Sequence, residues 1–431
     1  MSVLEPVFRP QLIEERRPDG YWIDAFDVDG DGLPDLVAYG LGQGQVSWYR
    51  NPGWQRTLIR GYDGPVGMHH ADLDGDGRED IVICHQYGAT MVDCDPEGGK
   101  IHWLQNPGNS GGTEPWTARY IGRATAMHRL RVGHFTRADR WQVLGLPIVG
   151  GPQAPHSVVS LMLFTEPDDL LGATEWESAV IDDDFFHVVH GVTLKKFQAT
   201  DGSTLDSALL ATQEGIVWLH FDPSTGAWQR DVIGHGELGE APVTGFSGSG
   251  DVDAGRIGSD PFAYIPAVEP FHGNTVAVYT KSSAAELTDI RWERHVLDVF
   301  GDPDAKGEGP GHFVICGDFD GDGDDEFLVA LRGPAPWRGV FYYKAVDAAR
   351  GQFLKWRVSS ESAARIAVAD FTGDGRLDFA IIGYSVAGYY VDENPKIMIY
   401  HNEFAPQDSR RPIPAQPAAF VPRARKVAVP R

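Results

Sequence analysis

Fifteen histidines stand in this 431-residue sequence, and a subset recurs at two fixed places of a repeated pattern. Met68-His69-His70, Met127-His128-Arg129, His187 with His190, Gly311-His312 and Arg365 lie where apolar segments begin. His85-Gln86-Tyr87, Phe271-His272-Gly273-Asn274 and Tyr384 lie where the following segments end. Neutral imidazole is the commonest protein ligand for Zn²⁺, and three such ligands with an open position make a catalytic metal site. The pool for that role is His128, His190, His272 and His312; the sequence does not say which three bind. His69, with His70 as alternate, is expected as general base, and Tyr87 and Arg365 as further proton-transfer or charge-stabilising groups. Tyr21, Trp22, Gln86, Arg129, Phe271, Asn274 and Tyr384 are expected to contact a small molecule by hydrogen bonds and aromatic faces. A lone strand histidine is usually a structural hydrogen-bonder; convergence from several units raises the reading above that. His102, His156, His220, His235, His295 and His401 fall elsewhere in the repeat, and His134 replaces a turn aspartate.

A second chemistry recurs beside the first. Asp27-Val-Asp29-Gly-Asp31-Gly-Leu-Pro-Asp35 precedes an apolar run, and the pattern returns at Asp72, Asp74, Asp76 and Asp80. It returns again at Asp318, Asp320, Asp322 and Glu326, and at Asp370, Asp374 and Asp378, where Thr372 replaces one aspartate. Alternating carboxylates with glycines for the tight turn suit a hard cation, Ca²⁺ or Mg²⁺, in a structural role. The same residues also make good turns without an ion.

These loops mark a repeat, and the repeat defines the architecture. Weaker units at His134–Asp139, Thr200–Leu210 and Gly250–Gly255 bring the number to seven. Each continues into an aromatic strand, such as VSWYRN from Val46, IHWLQN from Ile101 or VFYYKA from Val340. Most then reach a Trp-containing strand, such as WQRTLI from Trp54. β-Branched and aromatic residues between Gly, Pro and Asp turns read as short strands. Four strands per unit and seven units predict an all-β, seven-bladed β-propeller over residues 1–404. The last unit lacks its fourth strand; Phe8–Ile13 is expected to supply it and remove a free sheet edge. A Pro/Ala/Arg-rich tail follows over 405–431. In this fold the first strand of each blade runs into the aspartate turn, and the second runs back. Strand starts and second-strand ends therefore share the opposite mouth, where the histidines collect.

Composition narrows the partners. With 37 basic and 61 acidic residues the net charge is −24, which excludes the basic stripe that nucleic acid needs. No apolar run of 18 residues spans a membrane, and the N-terminus carries no secretory pattern. Three cysteines cannot build a disulfide framework. The chain is expected to be cytoplasmic, with a small-molecule substrate and no nucleic-acid or membrane partner; a homodimer is compatible. No Gly-x-Ser-x-Gly elbow, P-loop or His-Glu-x-x-His occurs.

Longer motifs carry a resemblance. Arg17-Pro-Asp-Gly-Tyr-Trp22, Met127-His-Arg-Leu with Gly133-His-Phe-Thr136, Phe271-His-Gly-Asn-Thr275 and Arg294-His-Val-Leu-Asp-Val-Phe-Gly301 resemble the N-terminal half of the aldos-2-ulose dehydratase (1,5-anhydro-D-fructose dehydratase) family, over roughly residues 8–400. The aspartate loops resemble FG-GAP repeats. The resemblance implies a propeller with a zinc ion in a cleft, contacted by substrate, and separate structural loop metals. It implies a hydro-lyase that removes water from a keto sugar, such as 1,5-anhydro-D-fructose or an aldos-2-ulose, by metal-assisted β-elimination to an enone. The family enzyme continues into cupin and lectin-like domains, so the isomerisation linked to the cupins is not expected from this chain. Two rivals stand beside this reading: a non-catalytic propeller that binds glycan or protein, and another metal-dependent polysaccharide lyase or hydrolase.

Overall fold

The computed structural model describes residues 5–108, 114–152, 154–196, 205–238, 246–281 and 291–405. The tail beyond Ala405 and the start of the repeat unit expected at Thr200–Leu210 lie outside the described residues.

Seven antiparallel sheets succeed one another along the chain. Blade 1 comprises Trp22–Phe26, Asp35–Tyr39, Gln45–Arg50 and Gln55–Gly61. The innermost strands of blades 2 to 6 are Gly67–Ala71, Met127–Gly133, Val189–Lys195, Asp251–Val252 and Gly311–Gly317. Blade 7 comprises Arg365–Ala369, Asp378–Ile382 and Ile397–Asn402, and its outer strand is Phe8–Glu14 from the N-terminus. Phe8 pairs with Asn402, Pro10 with Tyr400 and Leu12 with Met398, so the two ends of the ring are zipped together. The molecule is thus the expected all-β, seven-bladed propeller.

Burial follows position in the blade. Second strands such as Asp35–Tyr39, Gln142–Pro147 and Glu326–Leu331 are buried at every residue, because neighbouring blades cover both faces. Outer strands such as Gln55–Gly61 are largely exposed. Removing apolar surface from water drives this packing, at about 25 cal/mol per Å².

The aspartate loops have a second structural duty. The last acid of the loop, Asp35, accepts from the backbone N–H of Asn51 at 2.7 Å, and the Asn51 amide donates to the Phe371 carbonyl of blade 7 at 2.8 Å. Asp80 does the same through Asn106, which reaches Val28 of blade 1 at 2.8 Å. Asp378 does so through Asn402, which reaches Phe319 of blade 6 at 2.6 Å. One repeated Asp–Asn pair therefore latches three blades to their predecessors. Burial lifts the Asp35 and Asp80 carboxyls to about 7.

Inner strands touch their neighbours around the axis. Their starts present side chains at one mouth and their ends feed the aspartate loops at the other, which is the arrangement that positions the site.

Candidate metal centre on the propeller axis

His190 and His312 are each the second residue of an inner strand, in blades 4 and 6. His272 follows the second strand of blade 5, Asp260–Glu269. Its φ of +49° is a left-handed backbone that non-glycine residues adopt rarely and mostly where the surroundings impose it. Gly309 N–H holds the His272 carbonyl at 2.6 Å. Gly273 beside it is forced to be glycine, since a Cβ there would stand 2.1 Å from the Glu269 carbonyl oxygen.

The three imidazoles each offer one nitrogen to a common point, all within 4.8 Å of one another. All three rings are buried. Each uses its other nitrogen to fix its orientation. His190 Nδ1 meets the Gly250 carbonyl at 2.6 Å, His312 Nδ1 meets the Ala364 carbonyl, and His272 Nδ1 meets Glu308 Oε2 at 2.8 Å. Those partners are acceptors, so they place the ring protons on Nδ1 and leave Nε2 as a lone pair. His272 Nε2 and His190 Nε2 then face each other at 3.2 Å, and buried His312 Nε2 has no hydrogen-bond partner. Two lone pairs that close repel unless a proton or cation lies between them, and a buried orphan acceptor costs about 1–3 kcal/mol. A cation accepting three nitrogen ligands resolves both defects, and the oriented imidazoles are the support that metal-binding histidines require. The residues present therefore fit a metal ion. Burial, together with neighbouring cationic or imidazole groups, holds His190 and His312 well below the usual imidazole range, so both rings are neutral and able to ligate.

His128 stands beside this trio, its ring 5.0 Å from that of His190. Its Nε2 is 3.0 Å from the Tyr21 hydroxyl and 3.0 Å from Arg129 Nη1, while Nδ1 is buried without a partner. Of the four expected ligands, then, three converge and His128 sits against a phenol instead. Arg129 also donates to the Tyr21 oxygen at 2.9 Å and approaches His190 Nε2 at 3.4 Å. Tyr87 and Tyr384 bring their rings within 5.5 Å of His128 and 5.0 Å of His312. Phe271 stacks on His272 at 4.1 Å, and the Asn274 amide donates to the Gly301 carbonyl. Gln86 Oε1 is buried and without a partner. Phe271 thus packs against two of the three imidazoles, and the Asn274 amide is bonded to the next loop.

Three expectations are corrected. His69 and His70 are not at this mouth: they are the third and fourth residues of their strand, and each step carries a residue about 3.3 Å further along the axis. His69 Nδ1 accepts from Val132 N–H at 3.2 Å, and His70 pairs with Glu79 at 3.2 Å and stacks on Phe26. Arg365 lies in the same deeper region, over the rings of Trp22 and Phe313 at 3.8 and 4.1 Å. Trp22 is therefore not a free aromatic face; it is buried, stacked on Tyr39 and covered by arginines.

Sequence reasoning passed over Glu308, Arg332 and Tyr389. Arg332 donates to Glu308, and its Nη1 donates to the Tyr384 hydroxyl at 3.2 Å. Arg332 directly follows the second strand of blade 6, and His272 is the third residue after that of blade 5, so second-strand ends in the repeat carried the signal. Burial pulls the Glu308 carboxyl up, but His272 and Arg332 outweigh it and bring it down to about 2. Tyr389 approaches His272 with rings 5.6 Å apart, and its hydroxyl accepts from Met91 N–H at 3.4 Å. Lys306 Nζ donates to the Gly388 carbonyl at 2.6 Å. Loops from blades 2 and 7 and from the blade 5–6 connection thus meet over the centre.

The aspartate loops contain three acid groups close enough to hold a cation: Asp27, Asp29 and Asp35; Asp72, Asp74 and Asp76; and Asp318, Asp320 and Glu326. They are not equivalent. In blade 6 the Lys344 ammonium sits among Asp320, Asp322 and Glu326, at 2.5, 2.9 and 2.9 Å. In blade 1 Arg50 reaches Asp29 at 2.6 Å. In blade 2 the corresponding side chain is neutral Gln105, bonded to Asp74 at 2.7 Å. In blade 7 Asp370 accepts backbone N–H groups of its own loop, and Asp374 pairs with Arg376.

Comparison with known proteins bears on the whole propeller. Residues 27–83 match the model of the FG-GAP-like repeat, and residues 98–282 match that of the aldos-2-ulose dehydratase β-propeller domain. Among solved structures, BBS1N in complex with ARL6DN covers 92% of this chain and 98% of its own, with 10% identity and a TM-score of 0.51, a likeness of fold alone. No helix of the described residues is long and apolar enough to cross a membrane. The aldos-2-ulose dehydratase of Phanerodontia chrysosporium is 40% identical over 418 residues, which are 92% of this chain and 46% of that protein. This chain therefore spans about half the length of that relative, and the resemblance read from its motifs, to the propeller of aldos-2-ulose dehydratase, is borne out.

Proposed function

We propose that this chain is a metal-dependent keto-sugar dehydratase acting at the histidine mouth, on a substrate of the 1,5-anhydro-D-fructose or aldos-2-ulose class. The observation that carries the reading is the set of three buried, oriented imidazoles that converge, with His190 and His272 Nε2 facing each other and His312 Nε2 without a partner. Its likeness to a dehydratase supplies the reaction class.

His190, His272 and His312 would hold a zinc ion. Bound zinc would supply a Lewis acid for a carbonyl oxygen. In a 2-keto sugar the proton on C3 is acidified by the carbonyl, and the C4 hydroxyl is placed for β-elimination. His128 is the proton acceptor in this reading, in place of His69. Burial and the Arg129 guanidinium hold its ring well below the usual imidazole range, so it is neutral. The Tyr21 phenol, fixed by Arg129, steadies the His128 ring. General base catalysis of this kind contributes about 10²–10⁴-fold. Tyr87, Tyr384 and Tyr389, whose rings lie beside His128, His312 and His272, would offer hydroxyls for sugar contacts and for protonating the leaving hydroxyl. The loops meeting over the mouth exclude water, which favours an enone leaving intact. Aspartate loops other than that of blade 6, which Lys344 fills, would carry Ca²⁺ or Mg²⁺ as structural ions.

The test is a spectrum against time with 1,5-anhydro-D-fructose. An enone absorbs in the ultraviolet, so absorbance should grow, stop after chelation and resume on adding Zn²⁺. Full activity in protein holding no transition metal would defeat the metal reading. Glycan binding without enone formation would favour a binding propeller.

A further inference from the structure

A cavity of about 1280 Å³ lies on the axis on the aspartate-loop side, and none of His190, His272 or His312 lines it. Arg365 of blade 7 does. Its guanidinium stacks on Trp22 of blade 1 and on Phe313 of blade 6, at 3.8 and 4.1 Å. Stacking occupies the faces of a guanidinium and leaves its N–H edge for acceptors. Among the described residues that edge has no hydrogen-bond acceptor and no ion-pair partner. The side chain is walled in by protein yet keeps accessible surface, because that surface opens onto the cavity.

Two neighbours repeat the imbalance. Arg131 donates to the Leu130 and Val192 carbonyls at 2.8 and 2.6 Å, so its hydrogen bonds are met while its charge is not. His69 accepts from Val132 N–H through Nδ1, which puts the ring proton on Nε2, a donor without an acceptor among the described residues. All three line the cavity. Asp24 also lines it and Asp251 lies nearby, but neither reaches ion-pair distance of either arginine. Burial and Arg129 bring Arg365 down to about 10, still charged at neutral pH. Two buried guanidinium charges without a paired carboxylate are costly.

We propose that this cavity is a second ligand site, separate from the histidine centre, that takes a small hydroxylated oxyanion: a sugar acid or a sugar phosphate. The oxyanion accepts a two-pronged hydrogen bond from the Arg365 edge, the geometry guanidinium favours for carboxylate and phosphate. His69 Nε2–H adds a third donor, and Asp24 accepts from ligand hydroxyls. The volume admits such a molecule with room left for water.

Isothermal titration of the full chain with D-gluconate, D-glucose 6-phosphate, inorganic phosphate and neutral D-glucose tests the site. At least one sugar anion should bind at one per chain, with D-glucose giving no heat. Gluconate alone would identify a carboxylate ligand, and glucose 6-phosphate alone a phosphate ester. Arg365→Lys keeps the charge but loses the fork, and should weaken binding at least tenfold. His69→Gln should weaken it severalfold and serves if the arginine variant does not fold. His312→Ala should bind the anion as the parent does. The proposal is overturned if no sugar anion binds at 10 mM, if folded Arg365→Lys and His69→Gln both bind like the parent, or if His312→Ala abolishes binding.

Discussion

The two ends of the propeller axis handle buried charge in opposite ways. At the aspartate end, many carboxylates are met by what the chain itself supplies, while Asp29, without a hydrogen bond, is held by an ion pair with Arg50. Asp27 and Asp370 accept backbone N–H groups of their own loops, Asp35, Asp80 and Asp378 latch blades together, and Lys344 fills the blade 6 loop. At the histidine end the chain leaves lone pairs unmet: His312 Nε2 has no partner and His190 and His272 face each other. A loop whose charges are internally balanced stabilises the fold, whereas an oriented set of unsatisfied donor atoms waits for something else. In the proposed reading the same repeat serves stability at one mouth and chemistry at the other.

The comparison breaks first if the histidine end is structural. His312→Ala should abolish bound transition metal and reduce dehydration by about 10³-fold or more, several kcal/mol of lost Lewis-acid stabilisation. Its melting temperature without metal should fall only modestly, because relief of the orphan Nε2 acceptor offsets part of the lost packing and of the lost Nδ1–H bond to the Ala364 carbonyl. Elemental analysis and a melting curve on one preparation decide it. A collapse in stability with metal content retained would reverse the roles of the two ends.

Glu308 sharpens the contrast, since it is a carboxylate at the wrong end. It orients His272 and is held by Arg332. Glu308→Gln should lower metal affinity about 10–100-fold, the usual effect of losing an orienting partner, as read by competition with a chelator. A pH effect follows. Its carboxyl is down at about 2 in the folded protein, against roughly 4.3 in an unfolded chain. The stabilisation from its charged form is complete above about 4.3 and is lost as the pH falls towards 2. The melting-temperature gap between the parent and Glu308→Gln, measured without metal, should narrow across that window. A gap independent of pH would show that Glu308 is not held charged.

Lys344 tests the other end. Its ammonium is shared by three carboxyl groups and is nearly buried. Lys344→Met should destabilise by about 2 kcal/mol, between the values for surface and buried pairs, and millimolar Ca²⁺ should restore most of the loss by occupying the vacated loop. Turnover per folded molecule should not change. Failure of Ca²⁺ to restore stability would mean that the loop geometry, and not its charge, is what Lys344 maintains.

How much of this was legible follows from periodicity. The aspartate loops recur at intervals that the aromatic strands repeat, so blade number and the closing strand Phe8–Glu14 were readable. His190, His272 and His312 were readable because their places in the repeat share a mouth. His69 was misplaced for a reason of scale: it is the third residue of its strand, and a side chain further along a strand belongs to another layer of the axis; Arg365 begins its strand, but its long side chain carries the guanidinium onto Trp22 and Phe313. Glu308 was not legible, since it lies in an irregular connection with no period to place it. Lys344 stood in plain view after VFYY, but its role depends on a cross-strand contact that the local sequence does not contain.

The smallest effect is the most discriminating for the loops. Asp322 belongs to the blade 6 loop, but its side chain is 40% exposed and shares Lys344 with two better-buried acids. Sharing means that its removal leaves the ammonium paired with Asp320 and Glu326. Burial, aided by Asp320, lifts the Glu326 carboxyl to about 8, so deleting one nearby negative charge also relieves repulsion. The two consequences oppose each other, and exposed ion pairs are worth about 0–1 kcal/mol. Asp322→Ala should therefore lower stability by less than about 1 kcal/mol and leave turnover intact. Equilibrium denaturation with urea resolves a change of that size when the slope is unaltered. A drop as large as that of Lys344→Met would show that Asp322 holds the loop conformation, through the Asp324 N–H it accepts at 3.0 Å, and a selective loss of turnover would place the reaction at the aspartate end after all.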